Sequence, residues 1–213
     1  MYFLIEILDR GRFGMTSIRQ WEFWRNCMVY FCIYSLVGHW MEIPYCLFNK
    51  EVFGIVPDDS LVFSDPLNPF MVYGVGVVLC AIFLVPFKDY CLRKFNSGMK
   101  SALAFFAIAV LMAMAMELIM GFIFNQPDAT GEFPLWNNAI LPGNILGQAW
   151  IVNDLLLGAV ATLFTWAAYP ASERFFLSYC TPRGANIRAF LCIAAFIVLC
   201  IVEFGIKGVG NIY

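Results

Sequence analysis

The chain has 213 residues, 62% of them hydrophobic and 13% charged, with a net charge of −2 and a mean hydropathy of +0.76. No water-soluble domain of this length keeps such a composition in solution, and cations scattered over short segments leave no basic face for nucleic acid. The expectation is an all-α polytopic bundle of about five transmembrane helices whose first partner is the lipid bilayer itself.

Residues 1–22 set Arg10, Arg12 and Arg19 among Phe3, Leu4, Ile7 and Phe13. That pattern suits an amphipathic segment on the membrane surface, with Trp21 and Trp24 in the headgroup layer. Met1 to Leu8 is too short and too acidic for a signal peptide, so the first span is expected to serve as an uncleaved anchor. Spans are expected over about 23–48, 70–87, 102–124, 150–169 and 189–206, which together form a bundle from 23 to 206, with 207–213 as an outer tail.

The connections alternate in character. Residues 49–69 carry Glu51, Asp58, Asp59 and Asp65 against Lys50, with Pro57, Pro66 and Pro69 keeping them from being helical throughout. A tight basic loop with Lys88, Arg93, Lys94 and Lys100 follows the second span, and residues 125–149 then contain no cation at all. The apolar end of that segment, 140–147, has the character of a stretch that dips between helices. Residues 170–188 carry Arg174, Arg183 and Arg188, and their Arg174-Phe175-Phe176-Leu177-Ser178-Tyr179 run reads as an interfacial segment or as an aromatic anchor for a partner chain. The first, third and fifth connections thus hold eleven Lys and Arg residues, counting Arg25, against Lys50 and Lys207 on the alternate side. The positive-inside rule then places the amino end in the cytoplasm and the carboxyl end outside.

Eight cysteines, most within the apolar runs and none in a C-x-x-C pair, read as small packing residues. The polar residues inside the spans say more. Ser35, Gly38, His39 and Glu42 share one helical face of the first span, Glu117 lies in the third, Asp154 follows Asn153 in the fourth, and Glu203 closes the fifth. An ionisable group at membrane depth costs at least about 2.5 kcal/mol, so these faces must meet protein or a wet cavity. Two ridges of small residues, Ala109-Ala113-Glu117-Gly121 and Gly147-Asp154-Gly158-Ala161-Thr165, bring helices close around them. Met41-Glu42 leading to Phe48-Asn49 also parallels Met116-Glu117 leading to Phe124-Asn125, which suggests a parallel repeat of two hairpins.

Gly38-x-x-x-Glu42, Pro69-x-x-x-Tyr73-Gly74-x-Gly76, Glu117-x-x-x-Gly121, Trp136 and Pro142-x-Asn144-x-x-Gly147 occur in an order and spacing that resemble the CmpB-like family of small bacterial membrane proteins, described as putative ABC-transporter type IV. The resemblance runs over about residues 30–170 and implies a permease-like component of a bacterial cytoplasmic membrane. It adds Tyr73 and Asn144 to the candidate lining. Two positions depart from the pattern: His39 stands where a tryptophan follows the first-span glycine, and Leu157 where one precedes the fourth-span glycine.

Three functional readings remain open. In the first, His39, Glu42, Tyr73, Glu117, Asn144, Asp154 and Glu203 line an outward-facing polar pocket of a transport component, for a cation or cationic substrate. The chain has no G-x-x-x-x-G-K-[ST] loop, so ATP-driven transport needs a separate ATP-binding subunit. In the second, Glu42 and Glu117 act as acid and base toward a lipid-like substrate, although no D-D-x-x-D, H-E-x-x-H or G-x-S-x-G motif is present. In the third, the polar residues only fasten helices in a structural or assembly subunit, and homo-oligomerisation is compatible with each reading. No cofactor and no metal site is expected, since His39 and Glu42 supply only two ligands from one helix.

Overall fold

The computed structural model describes residues 18–56, 58, 60–95, 97–129, 131, 133, 136–175 and 181–206. Residues 1–17 of the amphipathic segment expected over 1–22, Asp59, most of the aromatic run at 174–179 and the tail lie outside them. Helices make up 78% of the described residues, which decides the all-α class. In chain order they are α1 (Trp21–Phe53) and the single turn α2 (Leu61–Ser64), then α3 (Met71–Lys94), α4 (Gly98–Phe124), α5 (Ile151–Glu173) and α6 (Pro182–Gly205). A two-residue ladder, β1 (Asn144–Ile145) against β2 (Ala149–Trp150), precedes α5. The last four long helices are long and apolar enough to cross a membrane. α1, with 33 residues, would reach about 50 Å at the usual rise, but Arg25, Asn26, His39, Glu42 and Asn49 dilute its apolar run.

The spans end where capping chemistry ends them. Gly54 closes α1 in the left-handed region, at φ 66°, and its N–H returns to the Lys50 carbonyl. Ser97 accepts the Lys100 N–H at the start of α4, and Thr181 accepts that of Gly184 ahead of Pro182 in α6. Two prolines inside spans share one solution. A π-helical turn at Cys80–Leu84 stands just before Pro86, and another at Phe164–Ala168 stands just before Pro170. The widened turn accommodates the ring and the missing N–H, so both helices continue where a proline would otherwise break them.

This continuation corrects the expected second span. α3 does not stop at residue 87 but runs to Lys94, and Lys88 is not in a loop: it is buried, with its ammonium donating to the Thr165 carbonyl at 3.2 Å. That carbonyl belongs to a π turn, where the regular helical bonding is offset, and Lys88 provides it with a donor.

The chain divides into two compact units, Met1–Phe83 with Tyr169–Tyr213, and Leu84–Ala168. In the first, α1 packs against the early turns of α3, with Gly38 under the Tyr73 ring and Gly74 against Ser35 and Phe31. α6 runs parallel to α1, with Asn186 bonded to Arg25 and Phe196 edge-on to Phe31. In the second, Phe105 of α4 stacks on Phe87, the Ser101 hydroxyl donates to the Cys91 carbonyl at 3.1 Å, and Val110 fills the notch left by Gly158 of α5. Gly147 was expected on that α5 ridge. It lies instead in the turn before β2 at φ 70°, a conformation that glycine adopts without strain.

Both cation-poor connections fold back along the helix they leave. After Gly54, residues 54–70 return beside α1: the Lys50 ammonium pairs with Asp58 at 2.5 Å, Trp40 Nε1 donates to the Pro66 carbonyl at 2.6 Å, and the Phe70 N–H reaches the Ser35 carbonyl at 3.0 Å. In the second unit Gln148 and Asn125 bond reciprocally at 2.8 and 2.9 Å, and Trp136 Nε1 donates to the Gln148 carbonyl. Irregular backbone at this depth needs protein donors in place of water, and these side chains supply them.

Candidate acid sites of the two units

Glu117 and Asp154 come together in the second unit. α4 and α5 approach closely because Val110 sits on Gly158, and one helical turn toward the loop this contact sets Asp154 against the Glu117 carboxyl. Asp154 is fully buried, at 0% exposure. Its oxygens face Glu117 and, among the described residues, meet no donor from any other side chain or backbone group. Glu117 is better served, since the Asn153 amide and the Trp150 N–H both donate to it. The arrangement concentrates negative charge, holds one carboxylate in place and leaves the other with open lone pairs.

His39, Glu42 and Tyr73 come together in the first unit. The Tyr73 hydroxyl donates to Glu42, and His39 lies one turn earlier on α1, within electrostatic reach of that carboxylate. His39 is itself fully buried and stacks flat on Phe70, with ring centroids 4.0 Å apart and planes 4° from parallel. Its Nδ1 lies 2.7 Å from the Asn68 carbonyl oxygen and its Nε2 lies 3.0 Å from that of Val62.

The other two expected residues take separate places. Asn144 is committed to the loop turn, donating to the Ala139 and Leu141 carbonyls and accepting the Gly147 N–H. Glu203 is buried, at 8% exposure, in a π turn near the end of α6.

One polar cluster escaped the sequence reading. Glu173, at the end of α5 and within the segment taken as a connection, is buried and accepts from the Tyr30 hydroxyl and, at 3.2 Å, from the Asn26 amide. Arg25 is buried beside it, with its guanidinium on the side-chain oxygens of Asn26 and Asn186. By sequence Arg25 reads only as a cation at the border of the first span. No residue pattern ahead of Pro170 signals that α5 continues through the π turn to Glu173.

The model of the family described as putative ABC-transporter type IV matches residues 29–204, which include both acid sites and all five long helices in whole or large part. The chain belongs to that family. It is thus a multi-pass membrane protein of a transporter-type family, with a membrane setting and a transport-related role. No curated protein and no solved structure matches the chain.

Proposed function

We propose that this family member is the permease-like membrane component of a bacterial transporter, and that its second unit binds a small monovalent cation, the proton included, between Glu117 and Asp154. The observation that carries the reading is Asp154: an acid removed from solvent, beside a second acid, with no donor among the described residues other than Glu117. A buried acid in that setting is costly unless a cation joins it, and intramembrane carboxylates of transporters are where coupling ions and cationic substrates bind. The distribution of Lys and Arg supports an amino end in the cytoplasm, with the glutamates of α1 and α4 toward the outer leaflet. With no phosphate-binding loop in the chain, ATP hydrolysis would reside in a separate subunit.

The test is flux in proteoliposomes of the purified protein, with the partner subunit where one copurifies, under imposed sodium, potassium, ammonium or proton gradients. The expected result is uptake that responds to one of these cations and is lost in Glu117→Gln. Uptake indifferent to every cation and unchanged in Glu117→Gln would overturn the reading.

A further inference from the structure

The two units use one local plan with different charge. In each, a long helix carries a glutamate, the chain folds back along that helix, and the third residue of the returning helix donates to the glutamate: Tyr73 to Glu42, and Asn153 to Glu117. The fourth residue differs. It is Gly74 in the first unit, pressed against Ser35 and Phe31, and Asp154 in the second, beside Glu117. The residue three before the glutamate differs too: His39 in the first and Met114 in the second. One unit therefore carries an acid and an imidazole where the other carries two acids.

The hydrogen bonds of His39 decide what its ring contributes. Both ring nitrogens face backbone carbonyl oxygens, at 2.7 and 3.0 Å, and a carbonyl oxygen can only accept. A neutral imidazole has one N–H and one lone pair, so either tautomer would aim a lone pair at an oxygen inside a site closed to water. The imidazolium has two N–H groups and satisfies both carbonyls. Two further neighbours suit a cation: the flat stack on Phe70 presents a π face to the ring, and Glu42 lies one turn away.

We infer that His39 is an imidazolium that serves as a tethered cation, neutralising Glu42 and tying the returning segment 62–70 to α1, so that the first unit needs no external cation. The corollary, that the second unit takes its cation from outside, rests on the reading of Glu117 and Asp154 given above. The statement about His39 stands without it.

His39 is the single histidine of the chain, so uniform 15N-histidine labelling reports one residue. The full-length protein, purified through a tag free of histidine, is reconstituted at neutral pH and its imidazole nitrogens are observed by NMR. The expected spectrum has two protonated nitrogens, each with a one-bond coupling to hydrogen, unchanged in Glu117→Gln. A bare nitrogen overturns the inference. Two variants supply an independent measure. His39→Gln should expose residues 54–70 to proteolysis about tenfold faster, the factor that one net buried hydrogen bond corresponds to. Adding Glu42→Gln should recover part of that loss, because the unpaired charge goes with it. Strictly additive effects of the two substitutions would overturn the pairing of His39 with Glu42. An imidazolium in a protein that shows no cation response would leave this inference standing and remove the proposed function, so the two failures are distinguishable.

Discussion

Asp154→Asn separates a cation site from a helix fastener, because the two make opposite forecasts for stability. Two carboxylates about 4 Å apart repel by about 4 kcal/mol at an effective dielectric constant of about 20. Asparagine removes that repulsion, keeps the shape and gives Glu117 a third donor besides Asn153 and the Trp150 N–H. The Asn153 amide and the Trp150 N–H already offset part of the repulsion in the native protein, so the net gain in a cation-poor buffer should be about 1–3 kcal/mol, or roughly 2–12 °C in melting temperature for a chain of this size. Saturating cation, by contrast, should stabilise only the native protein, by about 2.7 kcal/mol at a hundredfold excess over its Kd, and should leave the variant unmoved. Melting followed by tryptophan emission in detergent, with and without each cation, reads both effects at once. If Asp154→Asn melts lower than the native protein and still responds to cation, Asp154 is a packing contact and the reasoning is wrong.

Other expectations concern the segments around the sites. Gln148→Ala removes the donor to the buried Asn125 carbonyl and one acceptor of the Asn125 amide and should cost about 2–4 kcal/mol of melting stability, whereas Gln148→Glu sets a buried carboxyl oxygen against that carbonyl and should cost at least as much. Gly158→Ala drives a methyl into Val110 and should lower stability by about 1–3 kcal/mol, with Val110→Ala in the same chain restoring most of it. Lys50 and Asp58 lie beyond the expected span, Asp58 exposed and Lys50 half-buried; their ion pair holds the Asp58 carboxyl below its ordinary 3.8 and lifts the Lys50 ammonium above its ordinary 10.5. The protection they give the start of the returning segment is therefore complete between about pH 4 and pH 10. It fades as acid protonates Asp58 or base deprotonates Lys50. Limited proteolysis across pH and salt would show it, and protection that persists at low pH in Asp58→Asn would refute the assignment.

What the sequence disclosed followed from its strongest patterns. Hydropathy pointed to the long helices, although α1 runs on to Phe53 and α3 to Lys94 and α6 begins at Pro182, seven residues before the expected span, and the small-residue ridges through Glu117 and Asp154 identified two groups that do meet. The misses have local causes. A proline that would normally end a helix is absorbed when a π turn precedes it, and no residue pattern announces that turn. Lys88 and Glu173 consequently read as loop residues and are buried helix residues. Loop polarity was legible, but not that Asn125, Gln148 and Trp136 direct it inward. Asn144 matched a motif for the sake of a turn, as its three backbone hydrogen bonds show.

The folded-back segments explain why a chain this apolar keeps so many polar side chains in its helices. A backbone that leaves helical geometry beside a span exposes carbonyls and N–H groups with no water to meet them, at a cost of several kcal/mol each. His39 and Trp40 satisfy three such carbonyls in the first unit, and Asn125, Gln148 and Trp136 do the same work in the second. Every one of these side chains has a partner that accounts for its presence. Asn49 Oδ1, Asn68 Oδ1, Thr165 Oγ1 and Trp166 Nε1 are also buried without a partner among the described residues, but each belongs to a neutral side chain; Asp154 is the acid of that set, it faces a second acid, and this is why the proposed cation is placed there.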